Sequence, residues 1–358
     1  MAPVRIGIVG SGAIVQVHHL PNLMALQDEF SVETLCDLSP TLVRKVGERF
    51  HVPNCVTDYR DLLASDIDAV LICCADPKTE IACASFEAGY HVFVEKPFCF
   101  TLDDADDIIA AAVASGQVGQ IGYMKVFDPA FDLVEQEVRT MDDIRYIQVN
   151  HLHTNNSHHL QHFNLERATD VPDTVARGTE LLRRAGIEAT FGDIPAEAET
   201  AFYIVAGSLV HDLYGLRHLF GPPARVLSTE IWSGGYGITT VFEYGMGARC
   251  VATWIELPHI REFKETLEIN SGKRRVSLSY PSGFARGLLS EVHVDGVDDS
   301  GRAFAYEPAI EWESPFSREL RHFHQCITTG APCRTPVETA RHEVSLAIDI
   351  IKRYLERG

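Results

Sequence analysis

No apolar run in the 358-residue sequence approaches the roughly 20 residues needed to cross a bilayer. The first residues, MAPVRIGIVG, enter a strand pattern at once, so no signal peptide is expected and the expected location is cytoplasmic. Positive charge is scarce: 31 Lys and Arg stand against 50 Asp and Glu, a net charge of −19. A nucleic-acid binder needs a basic face, and an anionic membrane surface attracts basic segments. Neither partner is expected. The nine cysteines are odd in number and contain no Cys-x-x-Cys pair, which speaks against a disulfide framework and a cysteine zinc site. Cys73 and Cys74 lie inside an apolar run and read as small buried hydrophobes. Of the sixteen histidines, His158, His159 and His162 cluster, with His158 and His162 at i,i+4 spacing. No third ligand stands near them and NNSHHLQHFN reads as loop. A polar surface or a substrate cleft suits them better than a metal, and no metal is expected. Internal repeats and low-complexity segments are also missing.

The composition that remains is that of a globular protein, 46% apolar and 23% charged, long enough for two domains of roughly 100–200 residues each. The first 120 residues alternate two hydrophobic periods. VRIGIV (4–9), SVETLC (31–36), AVLICC (69–74), HVFVE (91–95) and QIGYM (120–124) read as strands. Between them lie helical patterns at 13–26, 40–50, 77–88 and 101–114, with Pro40 suited to a first turn, Gly89 to a stop and Thr101 to an N-cap. Continuous apolar strands alternating with helices imply a parallel, doubly wound (Rossmann) sheet over residues 1–122. From 123 to 358 the rhythm changes. Helices are predicted at 129–139, 172–186, 195–220, 315–328 and 336–355, with a strand at 144–150 and mostly strands from 224 to 306. This second domain is expected to be α+β, with one large, mostly antiparallel open sheet.

GIVGSGAIV (7–15) follows the first strand and opens the first helix. Gly10-x-Gly12 permits a tight turn and a close approach of backbone to a pyrophosphate, with Ser11, Ala13 and Ile14 leading into the helix N-terminus. The fingerprint's third position, normally Gly or Ala, is Val15. The next strand ends in Asp37, an acid placed to accept hydrogen bonds from the adenosine ribose hydroxyls and to repel a 2′-phosphate, which favours NAD over NADP. An ordinary turn aspartate is the other reading of Asp37. The later strand ends, Cys74-Ala75-Asp76 and Glu95-Lys96, open on the same cleft. There the Lys96 amine can hold a substrate hydroxyl and carry its proton, helped by a pKa lowered through partial desolvation. Pro97 stiffens the turn, and a cis Lys96–Pro97 bond suits it. Glu95 can bind the cofactor or orient Lys96. A plain surface lysine is the competing reading. Lys125 and Asp128, in GYMKVFDPAF, can contact substrate hydroxyls or form a hinge salt bridge, and the two readings stand level.

The Gly-x-Gly turn, EAGYHVFVEKPF (87–98) and FSRELRHFHQCITTGAPCRTPVETARHEVSLA (316–347) together resemble the glucose–fructose oxidoreductase/inositol dehydrogenase family, Gfo/Idh/MocA. The resemblance implies an NAD(P)-dependent oxidoreductase acting on a CH–OH carbon of a sugar, glycoside or cyclitol. It also implies a homodimer or homotetramer built on the second domain's open sheet. Lys96 matches the family's catalytic lysine. AGSLVHDLYGLRHLFG (206–221) matches the helix that carries an Asp-x-x-x-His pair, with His211 at the histidine and Gly207 where the aspartate belongs. Asp212 is about 100° round the helix from His211 and does not simply replace that aspartate. Tyr214 and Ser208 share the face of His211 and can assist it, or Gly207 leaves room for a bulkier substrate. The segment 151–162, His153 included, is a candidate for the opposite wall. His211 as a merely packed histidine stays open. So do two other functions: an NAD-retaining lyase or glycosidase working by transient oxidation, and a catalytically silent NAD-binding protein.

Overall fold

Residues 2–356 are described by the computed structural model, and they gather into two compact units. The first holds the chain up to Tyr123 together with Phe163–Gly192 and Phe316–Val344. The second holds Met124–His162, Asp193–Pro315 and the chain from Ser345 onward.

The first unit is built on six parallel strands: β1 (Val4–Val9), β2 (Phe30–Cys36), β3 (Asn54–Val56), β4 (Ala69–Ile72), β5 (His91–Glu95) and β6 (Gly119–Gly122). Val70, Leu71, Ile72, Val92, Phe93 and Val94 are all fully buried. That is why β4 and β5 carry no alternation: helices cover both faces, and each such side chain contributes about 1.5–3 kcal/mol. The first helix is wide-turned over Val15–His19 and regular over Leu20–Ala25 (α1). Next comes α2 (Pro40–Phe50), where Ser39 Oγ accepts from Leu42 N at 3.0 Å and Pro40 takes the first turn. Then follow α3 (Tyr59–Leu63), α4 (Thr79–Glu87) and α5 (Leu102–Ser115). Thr101 caps α5, and Gly116, at φ +67°, ends it.

The strand order is β3-β2-β1-β4-β5-β6. The chain leaves β1 toward one edge of the sheet and returns to β4 on its other side. The carboxyl ends of β1 and β4 therefore flank the switch point where ligands of such sheets bind. This is the Rossmann order, as the alternation predicts. Later segments complete the unit. Helix α11 (Pro315–Thr329) lays Phe316, Leu320 and Phe323 into the core, Phe323 meeting Phe93 edge-on at 5.8 Å. Gln16 ties the segment before α8 (Asp173–Phe191) down by donating to Glu166 O at 3.0 Å and accepting from Glu166 N at 2.9 Å.

The second unit has eight strands: β7 (Ile144–His153), β8 (Arg225–Trp232), β9 (Gly237–Glu243), β10 (Arg249–Glu256), β11 (Lys264–Ser271), β12 (Arg274–Tyr280), β13 (Glu291–Val297) and β14 (Ala303–Tyr306). Their order is β14-β13-β12-β11-β7-β10-β9-β8. Only the β7–β10 pair is parallel. Ile147, Val149, Ala252, Leu267, Ile269, Val276 and Leu278 form its buried face, alternating with more exposed residues as a sheet covered on one side requires. Helix α6 (Pro129–Arg139) packs on β12 and β13. The short α7 (Ser157–Leu160) follows β7, and α9 (Ala196–Ile204) runs through a wide turn at Val205–Leu209 into α10 (Val210–Phe220). Helix α12 (Arg341–Leu355) ends the described chain. Among the described residues no helix is long and apolar enough to cross a membrane.

Candidate cofactor and catalytic site

A cavity of about 650 Å3 opens at the carboxyl ends of β1, β2 and β4, lined by Gly10, Ser11, Gly12, Asp37, Cys74 and Ala75 and, from the later segment, Ala168, Val171 and Leu182. Gly10 and Gly12 serve it differently. Gly10 has φ +100°, and a Cβ there would lie 2.6 Å from Cys74 N, so the turn excludes any side chain. A Cβ on Gly12 would meet nothing within 4 Å: the position faces open space at a helix start. Both features suit a pyrophosphate lying against backbone N–H groups. Ser11 is buried, while Ala13 and Ile14 are half-buried in the first turn. Val15 is fully buried in the core, so helix–sheet packing proceeds without the small third residue of the fingerprint.

The Asp37 carboxylate accepts from Ser11 N at 2.8 Å and from Ser39 N at 3.0 Å. These bonds fix the glycine turn and use two of the roughly four lone-pair sites of a carboxylate. Asp58 lines the same end of the cavity. Asp170 accepts from Ser39 Oγ and from Thr41 N at the start of α2, where a helix N-terminus favours an anion.

The parallel strands bring the end of β5 to the same edge. Glu95 is buried and accepts from His19 Nε2 at 2.6 Å and from Lys96 N at 3.2 Å. Burial works to raise its pKa, but the hydrogen bond and charge of His19, with Lys96 and Lys78, bring it net below the ordinary value. Asp76–Pro77 and Lys96–Pro97 are both cis. Beneath them lies a residue the sequence reading missed, Lys78, only 1% exposed. Its Nζ donates to Asp76 Oδ1 and to Pro97 O, each at 2.8 Å, joining the turn after β4 to the turn after β5. Its signal was available: a lysine directly after the proline that ends the apolar run of β4. Lys96 is half-buried. Burial lowers its pKa from that of free lysine, Lys78 adds to the lowering, and Glu95 and Asp76 oppose it. A lysine so placed gives up its proton more readily than one in water.

The second unit carries its own polar cluster. Lys125 is buried and forms ion pairs with Glu265 and, at 3.3 Å, with Asp212. His151 Nδ1 lies 2.8 Å from Glu265 Oε1 and 3.2 Å from Asp212 Oδ2, and its Nε2 lies 3.4 Å from His153 Nδ1. The half-buried His153 is stacked on Trp254, ring centroids 5.2 Å apart. The chain His153–His151–carboxylates can pass a proton inward. Asp212 has its pKa lowered: burial opposes the shift, and Lys125 and His151 outweigh it.

Thus the structure draws Lys125 and His153 into one network. Asp128 caps α6 by accepting from Ala130 N at 2.8 Å and takes a hydrogen bond from Ser290 Oγ at 2.6 Å. Tyr214 is buried, with the Arg217 guanidinium 4.9 Å from its ring centre. Ser208 Oγ accepts from Trp254 Nε1 at 2.9 Å. His211 is half-buried in the first turn of α10. Gly207 sits in the wide turn, and a Cβ there would meet nothing within 4 Å. Of the other members, Glu265 escaped the sequence reading, His151 lies in the candidate segment 151–162 without being singled out, and Asp212 is the residue set aside there as a replacement for the missing aspartate. The 100° offset that takes Asp212 off the face of His211 turns it toward His151 of β7 and Lys125 of the short turn Met124–Phe127. His158 and His162 stand in α7 and just beyond it.

Comparison with known proteins agrees with this geometry. The profile of the Gfo/Idh/MocA oxidoreductase family, described as an NAD-binding Rossmann fold, matches residues 4–123. Over 137 residues the chain is 35% identical to an inositol 2-dehydrogenase/D-chiro-inositol 3-dehydrogenase of Shouchella clausii, a match covering 37% of this chain and 39% of that one. An inositol 2-dehydrogenase of Acidothermus cellulolyticus is 32% identical over 140 residues, covering 38% and 41%. The chain thus spans about two fifths of the length of the curated relatives it matches. Among solved structures, levoglucosan dehydrogenase in complex with NADH and levoglucosan aligns over 99% of this chain and 98% of that one, with a TM-score of 0.77 and 16% identity. The 3-ketoreductase KijD10 of Actinomadura kijaniata with NADP aligns over 98% and 97%, with a TM-score of 0.71 and 17% identity. At such identities these two likenesses speak for the fold.

Proposed function

We propose that this chain, whose residues 4–123 match the Gfo/Idh/MocA oxidoreductase family, moves a hydride between NAD and a hydroxyl or keto carbon of a sugar, glycoside or cyclitol. When bound, the nicotinamide supplies the hydride acceptor or donor. Lys96 supplies the proton chemistry: its neutral amine takes the substrate hydroxyl proton in oxidation, and its ammonium returns one in reduction. His211 is assigned the second acid–base role, with no acid at Gly207 to assist it. The observation that carries the reading is Lys96 itself, half-buried, with a lowered pKa, on the sheet edge that bears the glycine turn.

The coenzyme choice rests on charge. Asp37 and Asp58 line the cavity and Asp170 caps the helix beside Asp37, three carboxylates that disfavour a 2′-phosphate, while the lining guanidinium of Arg60 is paired with Asp58 and Glu80. Cyclitols and anhydrosugars are the first substrates to assay, because relatives and neighbours named above act on or hold compounds of those classes. The test is formation of NADH or NADPH from a panel of inositols, anhydrosugars and glycosides. The reading expects turnover with NAD at a kcat/KM above that with NADP. Tight NAD binding with no coenzyme reduction by any polyol, and no oxidation of NADH by any keto sugar, would refute it.

A further inference from the structure

Away from the cavity, in the first unit, the last turns of α11 and the loop after it bring His322, Cys326 and Cys333 together. One ligand atom from each lies within 4.8 Å of the others. Cys326 Sγ is 3.4 Å from His322 Nε2, and that nitrogen also accepts from Arg334 N at 2.8 Å. Cys333 S–H donates to Gln120 Oε1 at 3.6 Å, and the Cys326 sulfur lies within 4.8 Å of it. Cys326 is 1% exposed, whereas Cys333 and His322 are half-buried. The next residues are anchored to β6, since Ile121 N donates to Thr335 O at 2.9 Å.

We propose that Cys326 and Cys333 are a peroxide-reactive thiol pair that closes to a reversible disulfide. Cys326 is the nucleophile. The neighbouring Cys333 thiol lowers its pKa and burial opposes that, while Cys333 moves up. All seven other cysteines are pushed up, each chiefly by burial. Only the thiolate attacks, so at neutral pH the reactive sulfur is Cys326. The Cys326 thiolate displaces hydroxide from hydrogen peroxide and becomes a sulfenic acid. Cys333 then attacks that sulfur and water leaves. Two electrons pass from the two sulfurs to the peroxide, whose oxygens end as hydroxide and water. The same three side chains could suggest a metal site, but the His322 Nε2 lone pair already serves the Arg334 N–H.

The experiment is differential thiol labelling of the full chain after a few equivalents of hydrogen peroxide. Free thiols are blocked, disulfides are reduced, and the released thiols are tagged and located by peptide mass mapping. Cys326 and Cys333 are expected to carry the second tag together, dithiothreitol restoring both, while the exposed Cys55 stays a free thiol at the same dose. In Cys333→Ser, Cys326 is expected to yield a dimedone adduct. If Cys333→Ser does not fold, the tag pattern of the unaltered protein decides alone. Oxidation of Cys55 ahead of the pair would overturn the proposal. So would one zinc per chain in the purified protein, lost in Cys326→Ser.

Discussion

Gly10 and Gly12 are two residues apart and answer to different constraints. At Gly10 the backbone itself forbids a side chain: φ is +100° and Cys74 N lies 2.6 Å from the site of a Cβ. Gly10→Ala is expected to cost more than about 2 kcal/mol, from strain and collision together. At Gly12 a methyl group meets no protein atom within 4 Å. Gly12→Ala should therefore unfold within about 0.5 kcal/mol of the parent in urea while losing most of its affinity for NADH by fluorescence titration. If both variants were equally destabilised, the open space beside Gly12 would not be the place kept for a pyrophosphate. Asp212 shows the same point in reverse. Judged by its helical position alone it faces away from His211, yet that position brings it to Lys125 and His151.

At the scale of elements, the turns after β4 and β5 act as one piece because Lys78 donates to both. Lys78 also lowers the pKa of Lys96 by like charge. Lys78→Met removes that repulsion and leaves Asp76 to favour the ammonium, so the Lys96 pKa must rise. The acid limb of kcat/KM for alcohol oxidation, along which rate rises as the Lys96 ammonium loses its proton, should move to higher pH; an unmoved limb would separate Lys96 from the titration that governs rate. The elements were legible in the sequence to unequal degrees. The continuous apolar runs of β1, β4 and β5 announced a covered parallel sheet, and Pro40 marked the start of α2 as found. The three-residue β3, exposed at Asn54 and Cys55, has no hydrophobic period to read. The parallel pairing of β7 with β10 joins residues about a hundred positions apart, and no local pattern encodes it. The same holds for the clamp of Gln16 on Glu166, which brings a distant segment to the cavity. Of the candidate site, the glycine turn, Asp37 and Lys96 could be read because each sits at a strand end. His151, Asp212 and Glu265 form a group only through long-range contacts.

For the molecule as a whole, an acidic chain with a net charge of −19 places a lysine and three potential anions or imidazoles in the interior of its second unit. Breaking one partner of a buried charge group costs about 3–5 kcal/mol, so Asp212→Ala should lower the urea midpoint by a corresponding amount. The pH dependence follows from the lowered pKa of Asp212. Its stabilising contribution is complete above the unfolded carboxylate value of about 4 and is lost as pH falls through the folded value below it. The gap between parent and Asp212→Asn should therefore be full at neutral pH and shrink on acidification. A gap independent of pH would contradict an ionised Asp212.

The most direct test is hydride transfer in Lys96→Ala, measured once a substrate is in hand. With NADH affinity and thermal midpoint unchanged, kcat for alcohol oxidation is expected to fall by about 10²–10⁴-fold, and the acid limb of its pH profile to vanish. Undiminished turnover with the same pH profile would show that Lys96 does not handle the proton.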